Sequence, residues 1–267
     1  MNSVLTPSLR RDLGLVGWQI RYEQRAYWRN RGRGIFTFVF PLMFLVIFAS
    51  INRGTRLSEI GGIPYDDFFV PGILAYGIIA TTFVNMAIGT AMLRDEGILK
   101  RMQGTPLPRW AYVAARIGST LVIVAAITVV TLGLGAAVYG VHIRASTLPG
   151  LLLTLILGTA AFTTLGIGIT RFIPNAEAAP VIVNLVVLPL TFISSIWFPT
   201  NSMPDWLQHV ARVFPIRALA DGLQHAFNPF TRGAGLNGAD LRTLAIWTMI
   251  GVVLMIRFLR QPEGARA

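Results

Sequence analysis

Two pentapeptides late in the chain hold residue types that could do chemistry: DWLQH at 205–209 and DGLQH at 221–225. In each, Asp and His stand four residues apart, which puts both on one face of a helix. Asp205, His209, Asp221 and His225 together supply two carboxylates and two imidazoles, a donor set that suits a metal such as zinc. Ser202 lies just upstream, so a nucleophilic serine with His209 and Asp205 is a hydrolytic alternative. The plainer alternative is a pair of interfacial helices, each with a local Asp–His pair and no metal.

Other chemistry is excluded by what is missing. Cys is absent, which removes disulfides and thiolate catalysis. A P-loop needs G-x-x-x-x-G-K-[ST], and the single lysine, Lys100, follows Leu99, so this chain holds no such ATP site. Nucleotide-driven work would need a second polypeptide. A centrally placed carboxylate in a membrane span costs ~2.5–3.5 kcal/mol and is kept mainly for ion or proton pathways. The apolar stretches here carry no ionisable residue apart from Glu177 at the start of the fifth, which argues against proton- or sodium-coupled transport.

The elements that must position these residues are membrane helices. Of 267 residues, 54% are hydrophobic and 13% charged, about half the ~25% charged fraction of soluble domains. Uncharged stretches run over 34–52, 68–93, 117–141, 145–170, 178–204 and 243–256. A span needs ~20 apolar residues (range ~17–25), so five qualify and the last, with 14 residues, is short. Orientation supports it nonetheless. With six spans and a cytoplasmic N-terminus, 16 basic residues fall inside and 7 outside, as the positive-inside rule requires. The 23 Arg and Lys against 12 Asp and Glu flank apolar stretches and form no basic domain, so nucleic acid is not an expected partner. A cleavable signal peptide is not expected either, since the first apolar stretch starts only near Ile35 and lacks an A-x-A site.

The expected fold is therefore all-α, with spans near 35–52, 68–93, 117–140, 146–170, 177–198 and 242–259. Within 8–31, Leu9, Leu13, Val16 and Ile20 share one helical face. Trp18, Tyr22, Tyr27 and Trp28 are interface-belt residues, so this segment reads as an amphipathic helix at the membrane surface. Between spans five and six, 203–228 reads as two short amphipathic helices broken by Pro215, an interfacial or re-entrant lid. The loop 94–109 opens with Arg94, Asp95, Glu96 and Gly97 and continues with Ile98, Leu99, Lys100 and Arg101. It is either a short helix offering charge and apolar side chains to a cytosolic partner or a solvated connector. Asn85 and Asn184 lie in spans, as part of a substrate path or as interhelical hydrogen-bonding glue.

Three segments together resemble one family, the type 2 permeases of ATP-binding-cassette (ABC) exporters. YDDFFVPGI at 65–73 resembles the start of that family's second span. RDEGILKRMQGTPL at 94–107 resembles the loop where a coupling helix docks onto the ATPase. IWFPTNSMPDWLQ at 196–208 resembles the segment that leads from the fifth span into paired outer helices. The resemblance implies a single permease domain over 1–267 in the bacterial cytoplasmic membrane, working with an ABC-type ATP-binding subunit and a second permease copy or paralogue. It implies ATP and Mg on the partner subunit and no cofactor in this chain, with Arg94 to Arg101 as the coupling residues. In length and loop pattern the chain is most similar to the daunorubicin-resistance-type drug exporters, and the aromatic and basic N-terminal pattern of the polysaccharide-exporting relatives is missing. The spans hold little charge, so a lipophilic or amphipathic cargo is expected.

The asymmetry of 16 basic residues against 7 predicts that Met1 and Ala267 both face the cytoplasm. Reporter fusions at the two termini check it; an external C-terminus would remove the sixth span.

Overall fold

The computed structural model describes residues 5–29, 31–103 and 109–260. Both termini and 104–108 of the loop 94–109 lie outside the described residues, as do the side chains of Leu9, Leu13 and Ser202. Among the described residues the chain is almost wholly helical. In order come α1 (Leu5–Arg29), α2 (Arg31–Ile51), α3 (Tyr65–Ile79), α4 (Asn85–Asp95), α5 (Ile98–Gln103), α6 (Arg109–Tyr139), α7 (Leu148–Ile169), α8 (Ala179–Phe192), α9 (Asp205–Val213), α10 (Pro215–Phe227) and α11 (Gly238–Arg260). A π-helical turn at Ala80–Val84 joins α3 to α4 without a break. A two-residue antiparallel pair, β1 (Arg56–Leu57) with β2 (Ile63–Pro64), closes the loop after α2.

Four of these helical runs are long and apolar enough to cross a membrane: Tyr65–Asp95, Trp110–Tyr139, Ala145–Phe172 and Gly238–Leu259. They contain the expected spans near 68–93, 117–140, 146–170 and 242–259. The last of these is the stretch whose apolar length alone was short. Its helix begins at Gly238 and takes in Asp240 and Arg242 before the apolar run.

The two remaining expected spans coincide with apolar helices that are shorter, Thr37–Ile51 and Ala179–Phe192. For 177–198 the difference has a local cause. Pro189 removes one backbone donor from α8. The Thr191 hydroxyl donates to the Leu188 carbonyl at 2.8 Å and the Ser194 hydroxyl donates to the Leu190 carbonyl, both competing with the helical ladder. Fourteen residues cover about 21 Å at ~1.5 Å per residue. Beyond Phe192 the chain turns through Ser195, which has a φ of 56°. Ser194, Ser195 and Ile196 are nonetheless buried, packed against α3. A Cβ on Gly72 would lie 2.6 Å from the Ile196 carbonyl oxygen, so only glycine lets this irregular segment come so close.

Trp197 follows and joins an aromatic cluster with Phe44, Phe48, Phe69, Tyr76 and Phe192, at ring-centroid distances of 5.4–6.4 Å. Such pairs contribute about 0.5–1.5 kcal/mol beyond area burial. They tie α2, α3 and the end of α8 together. Of the interfacial and re-entrant alternatives for 203–228, the burial of α10 favours the second for that helix. It does not lie on a surface: Ile216, Ala218, Leu219, Ala220, Leu223, Ala226 and Phe227 are all buried, and the helix packs against α3, α7 and α11. α9 is the more exposed of the two, with Trp206, Val210 and Val213 on its surface.

α7 and α11 form the most extensive helix–helix contact. They approach through small residues, as helices in lipid do for want of a hydrophobic drive. A Cβ on Gly251 would stand 2.3 Å from the Thr164 hydroxyl oxygen, whereas one on Gly133 of α6 would meet nothing within 4 Å. We expect Gly251→Val to lower stability by about 1–3 kcal/mol, the usual range for overpacking, with Gly133→Val close to neutral. Thermal unfolding of the purified protein in one detergent distinguishes the two; equal melting would show that α7 and α11 do not pack this closely.

Candidate functional site

At the α5 end of the helix bundle, the turn between α4 and α5 is built by its own residues. Gly97 takes a φ of 69°, the left-handed conformation that stops α4 and lets α5 start at Ile98. Arg94, in the last turn of α4, reaches across to the link between α7 and α8. Its Nη1 donates to the carbonyls of Thr170 at 3.0 Å and Ile173 at 2.8 Å, and its Nη2 to that of Pro174 at 3.1 Å. Asp95 holds the same guanidinium through Oδ1 at 3.0 Å, and its Oδ2 accepts the Ala176 N–H at 2.6 Å. The carbonyls involved are among those a helix C-terminus leaves without intrahelical partners. One Arg–Asp pair thus welds the α4–α5 turn to the α7–α8 link.

This arrangement sorts the residues 94–101. Asp95 is exposed, with its carboxylate shared between the Arg94 guanidinium and the Ala176 N–H. Leu99 is 6% exposed and packs inward. Ile98 is half-buried, and Glu96, Lys100 and Arg101 are exposed.

Beside this turn a cavity of about 380 Å³ opens between α1, the α3–α4 run and α6. α1 is fastened to α6 by side chains. Gln24 donates to the Ser119 carbonyl at 2.7 Å and hydroxyl at 3.0 Å. Glu23 Oε1 lies 3.4 Å from Arg116 Nε, which also donates to the Tyr112 hydroxyl at 3.1 Å. Arg116 was not legible as part of a span, because α6 starts at Arg109 and not near 117. The clue was there: Asp12 and Glu23 are the acidic residues of 8–31, and a helix at a membrane surface has little reason to keep a carboxylate on its inner face. Asn85 lines this cavity. Asn184 does not come near it. Its amide donates to the Pro180 carbonyl at 2.8 Å on an exposed face of α8.

Comparison with known proteins decides what kind of molecule this is. The sequence model described as "ABC-2 type transporter" matches residues 15–228. The chain belongs to the ABC-2 type transporter family. The inner membrane transport permease YadH of Escherichia coli strain K12 is 21% identical over 231 residues, covering 84% of this chain and 86% of that relative. YvfS of Bacillus subtilis is 22% identical over 246 residues, 91% of this chain and 96% of that protein. Nodulation protein J of Rhizobium meliloti is 24% identical over 233 residues, 83% of each chain. This ABC-2 chain is accordingly a membrane permease of an ABC transporter, and the family implies an ATP-binding partner.

At the opposite, α10 end of the ABC-2 bundle the two Asp–His pairs go separate ways. His209 Nδ1 lies 2.6 Å from the Asp205 carbonyl oxygen on exposed α9. Asp221 on buried α10 takes the Arg217 guanidinium, Nε to Oδ2 at 3.1 Å. Arg217 is itself buried and donates also to the Gln208 carbonyl at 2.9 Å and the Thr200 hydroxyl at 3.1 Å. Among the described residues no three His, Asp or Glu side chains group as a metal would require. Asp205, His209, Asp221 and His225 therefore do not form one site. Arg217, at i−4 from Asp221, is the residue that organises this end.

Hydrogen bonds to a charged group are worth about 1.5–3 kcal/mol. Arg94→Ala frees three carbonyls, and we expect amide exchange at Ile173 and Ala176 to rise at least about tenfold, the equivalent of ~1.4 kcal/mol. Hydrogen-exchange mass spectrometry reads it directly; unchanged exchange there would mean the link holds without Arg94.

Proposed function

We propose that this chain is the membrane-spanning permease subunit of an ABC exporter, moving a lipophilic or amphipathic substrate such as a drug or lipid out of the bacterial cytoplasm. It crosses the inner membrane six times with both termini in the cytoplasm, α2 and α8 supplying the two shorter crossings. It pairs with a second permease copy or paralogue and with ATP-binding subunits that carry ATP and Mg and do the hydrolysis. The daunorubicin-resistance-type exporters remain its nearest functional comparison.

The observation that carries this reading is the weld at Arg94 and Asp95. α5 presents Glu96, Lys100 and Arg101 outward from a turn bonded to both α7 and α8 through the 170–176 link. A motor that pushes on α5 therefore pushes on three helical runs at once. Membership of the ABC-2 family supports the same assignment.

Reversing charges across a docking surface places like charges together, which costs several kcal/mol. We expect Lys100→Glu combined with Arg101→Glu to reduce co-purification with the ATP-binding subunit, and cargo-stimulated hydrolysis, at least about tenfold. Arg232→Glu, an exposed charge at the α10 end, should leave both intact. Wild-type values for the double variant in both assays would show that α5 is not the docking element.

A further inference from the structure

The cavity between α1, the α3–α4 run and α6 has a chemistry of its own. Its volume, about 380 Å³, lies within the ~300–1,000 Å³ typical of small-molecule sites. Three aromatic rings line it, those of Tyr22, Tyr27 and Tyr112. Three charged groups face it, Glu23, Glu96 and Arg116. Arg116 and Glu23 satisfy one another at 3.4 Å, and Glu96 forms no ion pair among the described residues. The lining is thus aromatic, with two carboxylates against one guanidinium, the combination that attracts an organic cation.

The deeper wall is different. From the π-helical turn at Ala80–Val84 onward, Thr81, Asn85, Met86, Gly89 and Thr90 all line the cavity. Thr90 is 1% exposed, and its hydroxyl oxygen has no hydrogen-bond partner among the described residues. A buried hydroxyl left this way is destabilising, by about 1–3 kcal/mol. Such a group is tolerated where a ligand completes it. Gly89 adds a second sign of vacancy, since a Cβ built there meets nothing within 4 Å.

We propose that this cavity is a binding site for an amphiphilic organic cation. Its charged part lies among the tyrosine rings near Glu96, its apolar body along Met86, Leu93 and Ile123, and a hydrogen-bonding group of the ligand reaches Asn85 and Thr90. The site deepens the exporter reading and rests on it for one point only: in the proposed orientation the mouth faces the cytoplasm, where cargo is collected.

The test uses the purified full chain without its ATP-binding subunit, with ethidium as the fluorescent probe and uncharged 6-phenylphenanthridine as its comparison. Gly89→Leu puts a side chain into the cavity from a position where a Cβ meets nothing within 4 Å, and should weaken ethidium binding at least tenfold. Thr90→Val, which preserves shape, should weaken it several-fold. Glu96→Gln should weaken ethidium several-fold and leave the uncharged compound unchanged. Thermal unfolding confirms that each variant is folded. Ethidium binding that survives both Gly89→Leu and Thr90→Val overturns the site, as does equal loss of charged and uncharged probe in Glu96→Gln. If the variants behave as expected but the assembled transporter moves no ethidium, the site stands and the export reading fails. If transport proceeds while binding ignores Gly89→Leu, the export reading stands and the site fails.

Discussion

Inside a bilayer the backbone has no water to bond, so wherever a helix stops short the protein must cap the ends itself. Much of this structure follows from meeting that demand at one place, the stretch after Phe192 where α8 gives out. The Ser195 carbonyl there accepts the Gln224 side-chain amide at 2.7 Å. Gln224 can reach it only because α10 is sunk into the bundle against α3, α7 and α11. Sinking α10 buries Arg217, which then needs Asp221, the Gln208 carbonyl and the Thr200 hydroxyl around it. Gly72 completes the set by letting the irregular backbone lie against α3. Remove the cap and the reason for each of the other features goes with it.

The same demand, met at the other end, makes the linkage between the α4–α5 turn and the α7–α8 link. α7 ends in a 3-10 turn at Thr170–Phe172, and its last carbonyls need donors. Arg94 supplies them from a different helix, so satisfying the backbone also joins two loops mechanically. A guanidinium suits this because its rigid fork presents several N–H donors in one plane. Within the α3–α4 run the π-helical turn is served locally, Thr81 and Thr82 donating to the Gly77 and Ile78 carbonyls at 2.7 and 2.6 Å. Hydroxyls that back-bond in this way let the helix widen without leaving polar atoms exposed to lipid.

Legibility in the sequence varied by residue in a consistent way. The helical spans could be read because hydrocarbon admits few alternatives, and an uncharged stretch of some twenty residues has one stable form there. The role of 94–101 as a turn and short helix was legible from Gly97 and the charges around it, while the division of labour within it was not. Asp95 and Glu96 are chemically alike, adjacent and both exposed, yet it is Asp95 that bonds Arg94 and the Ala176 N–H. The Asp–His repeats left alternatives open in the same fashion. Identical spacing gave two pairs equal standing, and only packing put one on an exposed helix and the other on a buried one with Arg217.

By itself, then, the sequence determined the solvent, the largely helical architecture and the family, since each depends on composition and on contacts within a few residues. The tertiary structure alone decided which breaks are buried, which charges are consumed internally and where a cavity remains. Those outcomes hang on pairs far apart in the chain: Arg94 with the Thr170 and Ile173 carbonyls, Gln224 with Ser195, Glu23 with Arg116. No local pattern encodes such a pairing, because the energy that selects it comes from backbone groups that only the folded neighbour leaves in need of a partner.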